Sequence, residues 1–475
     1  MTMPTTRFGS RRWTTPAPLW TVVMLAILAR PSSAEAHVKW FSEFSFDDRP
    51  LSFREILAPL FFLLWGLSVA VSVTLTLLEE RITRIGWVSR VDDWFASKKE
   101  HSLFVMRLGA GVTLIWCWQA GKLLAPDLST EADWIVWLQI AVAILLVFDR
   151  TVRLAGAGLL ALYVLAISQF GFFRMLDYLL WAGVGWFFLA QGARKDRVRI
   201  TALPALYATL GFCLIWLGIE KLVYPSWSKL LLEEHPVLAL GVEHDFFVSA
   251  AAMVEIGLGF MIMVCLQERL LALTISLLFV LTTLVFGREE VVGHTLIHTV
   301  LIVFLFSGPG EAAPPLHWIS DLKWRVPATA LAFILMVGML MVPYTFGAAY
   351  VFEKRSRHAR EGAIEVGEGA NAPRLAIAFH KDSVTGWNLE LIAENFEFTP
   401  AAAGGDPAPG QGHAHLYVDG EKVARLYGPW YHLRDLAPGR HTISVTLNAN
   451  NHAALTVKGR PVEASTEIEV LTLPE

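Results

Sequence analysis

The chain has 475 residues, 54% of them hydrophobic and only 17% charged, with a mean hydropathy of +0.48. A soluble domain carries about 25% charged residues, so the composition excludes an ordinary soluble protein and, with apolar runs of membrane length, points to a polytopic membrane protein. The net charge of −4 leaves no basic surface for nucleic acid, and Cys117, Cys213 and Cys265, all in apolar segments, form neither a disulfide framework nor a cysteine metal site.

Residues 1–36 read as a secretory signal. Arg11 and Arg12 supply the positive start, LWTVVMLAILA the short apolar core, and Ala34-Glu35-Ala36 a small-x-small cleavage site. Cleavage after Ala36 makes His37 the first mature residue. Its α-amine and imidazole then suit one copper(II) ion, the arrangement called a histidine brace.

Apolar runs follow near 55–78, 104–124, 134–148, 152–173, 175–193, 201–222, 246–266, 268–286, 290–307 and 326–350. They predict about ten spanning helices. The 79–103 and 194–199 loops are rich in Lys and Arg and belong on the cytoplasmic side, whereas the acidic loop PDLSTEAD belongs outside. Alternation from an outer start, through an even number of spans, returns the C-terminus to the outside. The expected place is a bacterial inner membrane, with the mature N-terminus and the C-terminal region periplasmic.

Spans two to five and six to nine read as two parallel four-helix copies. Lys122-Leu123 matches Lys221-Leu222 at an offset of 99, each after an Ile-Trp pair. Arg153-Leu154 matches Arg269-Leu270, and Phe170-Gly171 matches Phe286-Gly287, at an offset of 116. The offset grows by 17 because the second copy has the longer outer loop, YPSWSKLLLEEHPVLALGVEHD. The boundaries are 37–103 for the outer segment, first span and loop, 104–199 and 200–310 for the copies, and 311–350 for a loop and last span.

The second copy carries a G-x-x-K-L turn (Gly218 to Leu222) after Ile215-Trp216, then Met253-Val254-Glu255-Ile256-Gly257-Leu258-Gly259. These motifs resemble the DoxX/DoxD family of four-helix membrane proteins. That resemblance implies membrane redox partnership, including quinone reduction. The fused C-terminal region departs from the compact family pattern.

The second copy is also the polar one. Glu290, His294 and His298 recur every four residues and share one helix face. Ionisable groups within a bilayer are costly and mark cavities or bound ions. A metal site of Glu290, His294 and His298 is one reading, since imidazoles at i and i+4 converge on one ion. A proton or quinone site of Glu220, Glu255 and His294 is another. A hydrogen-bonded helix lock is the third.

Residues 351–372 are polar and Gly/Ala-rich and read as a linker. From 373 to 475 the pattern becomes about seven alternating strands, with an Asp419-Gly420 hairpin turn, and predicts an antiparallel β-sandwich of immunoglobulin or cupredoxin type. Within it His413 and His415 fall at i and i+2, on one face of a strand, and predict a site for copper(II) or zinc. The neighbouring aromatic residues suit a polar edge face equally well.

The sequence therefore supports three functions. One is copper or zinc handling, or metal-linked redox with membrane quinone, on the outer face and with a redox or metal-trafficking partner. The second is a metal-free, quinone-coupled oxidoreductase subunit. The third is a non-catalytic assembly or docking protein. No nucleotide-binding loop occurs in the sequence, which speaks against ATP-driven work.

Overall fold

The computed structural model describes residues 48–470, apart from 131, 240, 287, 311–314, 362, 383–385, 435 and 437. The signal segment and His37 lie outside the described residues. The chain forms two compact units, a helical one containing Leu51–Thr345 and a β-rich one containing Phe346–Glu475.

The helical unit is built from α1 (Pro59–Thr83), α2 (Gly86–Ala96), α3 (Ser102–Gln119), α4 (Asp133–Val147), α5 (Val152–Phe170), α6 (Leu180–Gln191), α7 (Ala202–Val223), α8 (Pro225–Glu234), α9 (His244–Met263), α10 (Glu268–Phe286), α11 (Arg288–Ser307) and the start of α12 (Leu322–Glu361). Local chemistry sets several ends. Pro59 and Pro225 open α1 and α8, where a missing N–H costs nothing. Glu243 caps α9 by accepting from the amides of Asp245 and Phe246, each at 2.9 Å.

Eight helices close a ring. α3 packs on α4, α4 on α5, α5 on α6, α6 on α7, α7 on α9, α9 on α10, α10 on α11, and α11 back on α3. The tightest approach is α7 against α9. A Cβ on Gly211 would stand 2.6 Å from the Gly259 carbonyl, and one on Gly259 would stand 2.6 Å from the Gly211 carbonyl. Only glycine allows this contact, the small-residue packing used where lipid supplies no hydrophobic drive between helices. Outside the ring, α1 packs on α9 and α2 on α11. The aromatic ring of Phe333, on α12, meets Phe260 of α9 edge-on at 5.0 Å.

Two polar residues reach across from α4 and α9 to the ends of α3 and α7. Gln139 of α4 is fully buried; it accepts from the Leu124 amide at 2.8 Å and donates to the Leu114 and Lys122 carbonyls at 3.1 Å. Glu255 of α9 instead meets Lys221 of α7 at 2.8 Å. Cys117, Cys213 and Cys265 are buried free thiols.

Among the described residues there are five or six candidate spans, not ten. Five helices are long and apolar enough to cross a membrane: Pro59–Thr83, Val152–Phe170, Asp196–Val223, His244–Met263 and Leu322–Lys354. A sixth is counted if Phe172–Tyr178 and Leu180–Gln191, bent by 63°, are taken as one. The physical reason is that apolar letters do not set helix length. The apolar helix α4, Asp133–Val147, reaches only about 22 Å at 1.5 Å per residue, short of a hydrocarbon core of about 30 Å. The even-number argument for placing both termini on one side rested on ten crossings and goes with them. α12 runs on to Glu361, so helix occupies part of the stretch whose composition suggested a linker.

Among the described residues the β-rich unit has eleven strands in three small sheets, in place of about seven antiparallel ones. β1 (Ile364–Glu365), β9 (Leu455–Val457) and β10 (Arg460–Pro461) form one. β2 (Arg374–Lys381), β3 (Trp387–Glu394) and β7 (Trp430–Leu433) form the second. The third runs β11 (Glu463–Val470), β8 (Gly439–Ala449), β5 (Gln411–Val418), β4 (Glu397–Phe398), with β6 (Glu421–Leu426) also on β5. The β1–β9 and β4–β5 pairs are parallel. One apolar core serves the sheets: Leu389 and Leu391 of β3 and Leu433 of β7 join Leu416, Ile443, Val445 and Leu447 of the five-stranded sheet. Burying each of these side chains contributes about 1.5–3 kcal/mol.

Candidate metal centre

Strand β5 places two histidines by its pleat. Ala414 and Leu416 enter the core, and His413 and His415 point to the opposite face. That face is covered as well, so His413 is 1% and His415 6% exposed. The third imidazole comes from the turn after β8. His452 has φ +67°, a left-handed conformation uncommon for a residue with a side chain. The turn is held by His452 N–H to the Ala449 carbonyl at 2.9 Å, and by the Asn448 side-chain amide to the His452 carbonyl at 3.1 Å.

Register brings the turn to the strand. His413 pairs with Asn448 across β5 and β8. Next to it a Cβ on Gly412 would stand 1.9 Å from the Asn448 carbonyl, so glycine is needed for the two strands to approach this closely.

The three rings converge. Nε2 of His413 lies 2.9 Å from Nε2 of His415 and 2.9 Å from Nδ1 of His452. One nitrogen from each ring can be chosen so that all lie within 4.8 Å of one another. Tetrahedral coordination with metal–nitrogen bonds of about 2.0–2.1 Å places ligand nitrogens about 3.3 Å apart, so small ring rotations suffice. Among the described residues this is the one group of three histidine, cysteine or carboxylate side chains close enough to share an ion.

The electrostatics favour neutral rings. Burial, helped by His452, Arg425 and Lys422, pushes His413 down from 6.5 to about 3. Burial, followed by Lys422, pushes His415 down further still. A metal needs the unprotonated imidazole. Lys422 Nζ stands 3.4 Å from Nε2 of His415. An ammonium can only donate, so this contact calls for a lone pair on that nitrogen. The Nδ1 of His413 is buried without a hydrogen-bond partner.

The histidines on the other strands are engaged elsewhere. His380 meets Glu390 at 2.9 Å, His432 meets Asn388 at 2.7 Å, and His441 meets Asp419 at 2.7 Å.

The helical candidates divide. Glu255 and His294 line one cavity of about 500 Å³ within the helical unit, together with Lys221, Asp177 and Tyr178. Glu220 is buried off that cavity and accepts from the Tyr344 hydroxyl of α12 at 3.0 Å. His294 stacks on Phe279 of α10 with ring centres 4.2 Å apart, and His298 meets the same ring edge-on at 6.0 Å. Glu290 belongs to α11, but its side chain lies outside the described residues.

Sequence reasoning missed His452 as a ligand and Lys221 as the partner of Glu255. The available signal for His452 was the Asn-Ala-Asn-Asn-His run between two strands, a turn that returns the chain beside β5. No protein-family model, no curated protein and no solved structure matches this chain. The DoxX/DoxD-like motifs at 218–222 and 253–259 therefore carry no family assignment.

Proposed function

We propose that this chain is a membrane protein whose β-rich unit holds a transition metal ion, copper(II) or zinc, on His413, His415 and His452. The single observation carrying this reading is the convergence of three imidazoles on one point, those of His413 and His415 buried and that of His452 half-buried. Three nitrogen ligands leave a fourth position for water or an exchangeable ligand. Nitrogen-only donors suit copper(II) and zinc, and the absence of sulfur from the set disfavours a blue-copper centre. Metal handling at the membrane is the role this supports.

The test is metal titration of the purified full chain, followed by elemental analysis after gel filtration. The expected result is one copper(II) or zinc ion per chain. Changing His413, His415 and His452 together to Ala removes it, while His380→Ala does not. Unchanged metal content in the triple variant would sink the proposal.

A further inference from the structure

The cavity in the helical unit is not used by the metal reading. Its volume of about 500 Å³ falls within the roughly 300–1,000 Å³ of small-molecule sites. Leu210, Leu214, Leu217, Val254, Phe279 and Ile297 are typical of its apolar walls. Asp177, Tyr178, Lys221, Ser228, Glu255 and His294 add polar groups, and three of these bear on what it takes.

Lys221 and Glu255 stand 2.8 Å apart, with side chains only 13% and 26% exposed. Opposite charges at this distance cancel, so the pair offers an ionic guest no net attraction. A charged head group would have to shed its water and break the pair. An uncharged head group can join it, because an ammonium donates more than one hydrogen bond and a carboxylate accepts more than one. The third group is Ser228 of α8. It is 7% exposed, and its hydroxyl has no hydrogen-bond partner among the described residues. A buried hydroxyl in that state costs free energy that a guest's hydrogen bond recovers.

One wall is built by the longer connection of the second half. The connection between α7 and α9, 224–243, has 20 residues, against 13 (120–132) between α3 and α4. It folds as α8 and a short turn over Pro236–Ala239, and supplies Ser228, Leu231, Leu232 and Leu238 to the cavity. The counterpart joins its two helices without such an insertion, so mere linkage does not require it.

We propose that this cavity binds an uncharged amphipathic molecule, an apolar body carrying a hydroxyl or carbonyl head group.

The test uses the full chain in phospholipid nanodiscs and a diazirine-bearing decanol as photoaffinity probe, with labelled residues mapped by mass spectrometry. Labelling is expected on the lining of α7, α8 and α9. Decanol is expected to compete about tenfold better than decanoate or decyltrimethylammonium, given the cost of burying a charge. Ala251→Phe fills the space and abolishes the labelling. Ser228→Ala, a change too small to disturb the fold, weakens competition by decanol about fivefold. Better competition by either ion overturns the assignment of an uncharged head. Occupation by bilayer lipid leaves labelling insensitive to decanol and overturns the site, as does label that persists unchanged in Ala251→Phe. None of these outcomes depends on metal binding by the β unit.

Discussion

Nδ1 of His452 stands 2.9 Å from Nε2 of His413 although 39 residues separate them. Asn448 makes this relationship hold. Its side chain accepts from the Thr446 hydroxyl at 2.9 Å and donates to the His452 carbonyl at 3.1 Å, which ties the turn to β8, itself paired with β5. Outer partners of this kind are worth about 10–100-fold in metal affinity. Asn448→Leu is therefore expected to weaken zinc or copper(II) binding at least about tenfold. Calorimetric titration checks this, and full affinity with a displaced turn would remove Asn448 from the account.

Acid should loosen this part of the β unit. The folded-state values of His413 and His415 are depressed below the ordinary 6.5. The unfolded chain then binds more protons, so the stability these rings contribute is complete above about pH 6.5 and falls as the pH drops toward the folded value. For His413 that window runs from 6.5 down to about 3. Asp419, held below its ordinary 3.8 by the His441 hydrogen bond, loses its contribution only at lower pH. Hydrogen exchange of β5 and β8 amides, compared at about pH 7 and about pH 5 after correction for intrinsic rates, should show protection lost at the lower pH. Equal protection at both would contradict the buried-neutral assignment.

Arg107 lies within an apolar run yet is buried and serves the end of a neighbouring helix. Its Nε donates to the Leu146 carbonyl at 2.6 Å, and its guanidinium reaches the Val147 carbonyl and Asp149. It thus satisfies the last carbonyls of α4, where a positive charge also suits the helix dipole. Arg107→Met leaves buried acceptors without donors and should destabilise the helical unit by about 3 kcal/mol. Arg107→Lys should cost less. Thermal unfolding in detergent distinguishes them, and equal midpoints for all three proteins would remove the capping role.

Lys221 and Glu255 should prove coupled. Removing one partner leaves the other charge in a poorly hydrated place, whereas removing both does not. The pair is partly exposed, so the coupling energy is put at about 1–2 kcal/mol rather than the full buried value. A double-mutant cycle of Lys221→Met and Glu255→Leu, read by unfolding, measures it. Strict additivity would show that the two charges do not sense each other.

Much of the chain was legible from sequence, and the limits are physical. His413 and His415 could be paired because a strand repeats its face every two residues. The Glu290, His294, His298 stripe followed from helix periodicity in the same way. Span counting failed because it measured runs of apolar letters, whereas crossing depends on where each helix starts, bends and stops. Leu179 separates two helical pieces bent by 63°, and no residue there announces the bend. Glu220, Glu255 and His294 could be named as ionisable residues in apolar surroundings, but only packing put two of them on one cavity and turned Glu220 toward Tyr344.

What the sequence determined alone was the local and the compositional: a helical, lipid-suited portion followed by a β-rich one, and the side chains sharing a face within one element. These depend on periodicity over a few residues and on the cost of apolar groups in water. What tertiary structure decided was every relationship between elements: the third imidazole, the partner of Glu255, the cavity wall from α8 and the number of helices able to cross. Such contacts join residues far apart in the chain, and cross-strand register and helix packing, which no short window contains, set their distances.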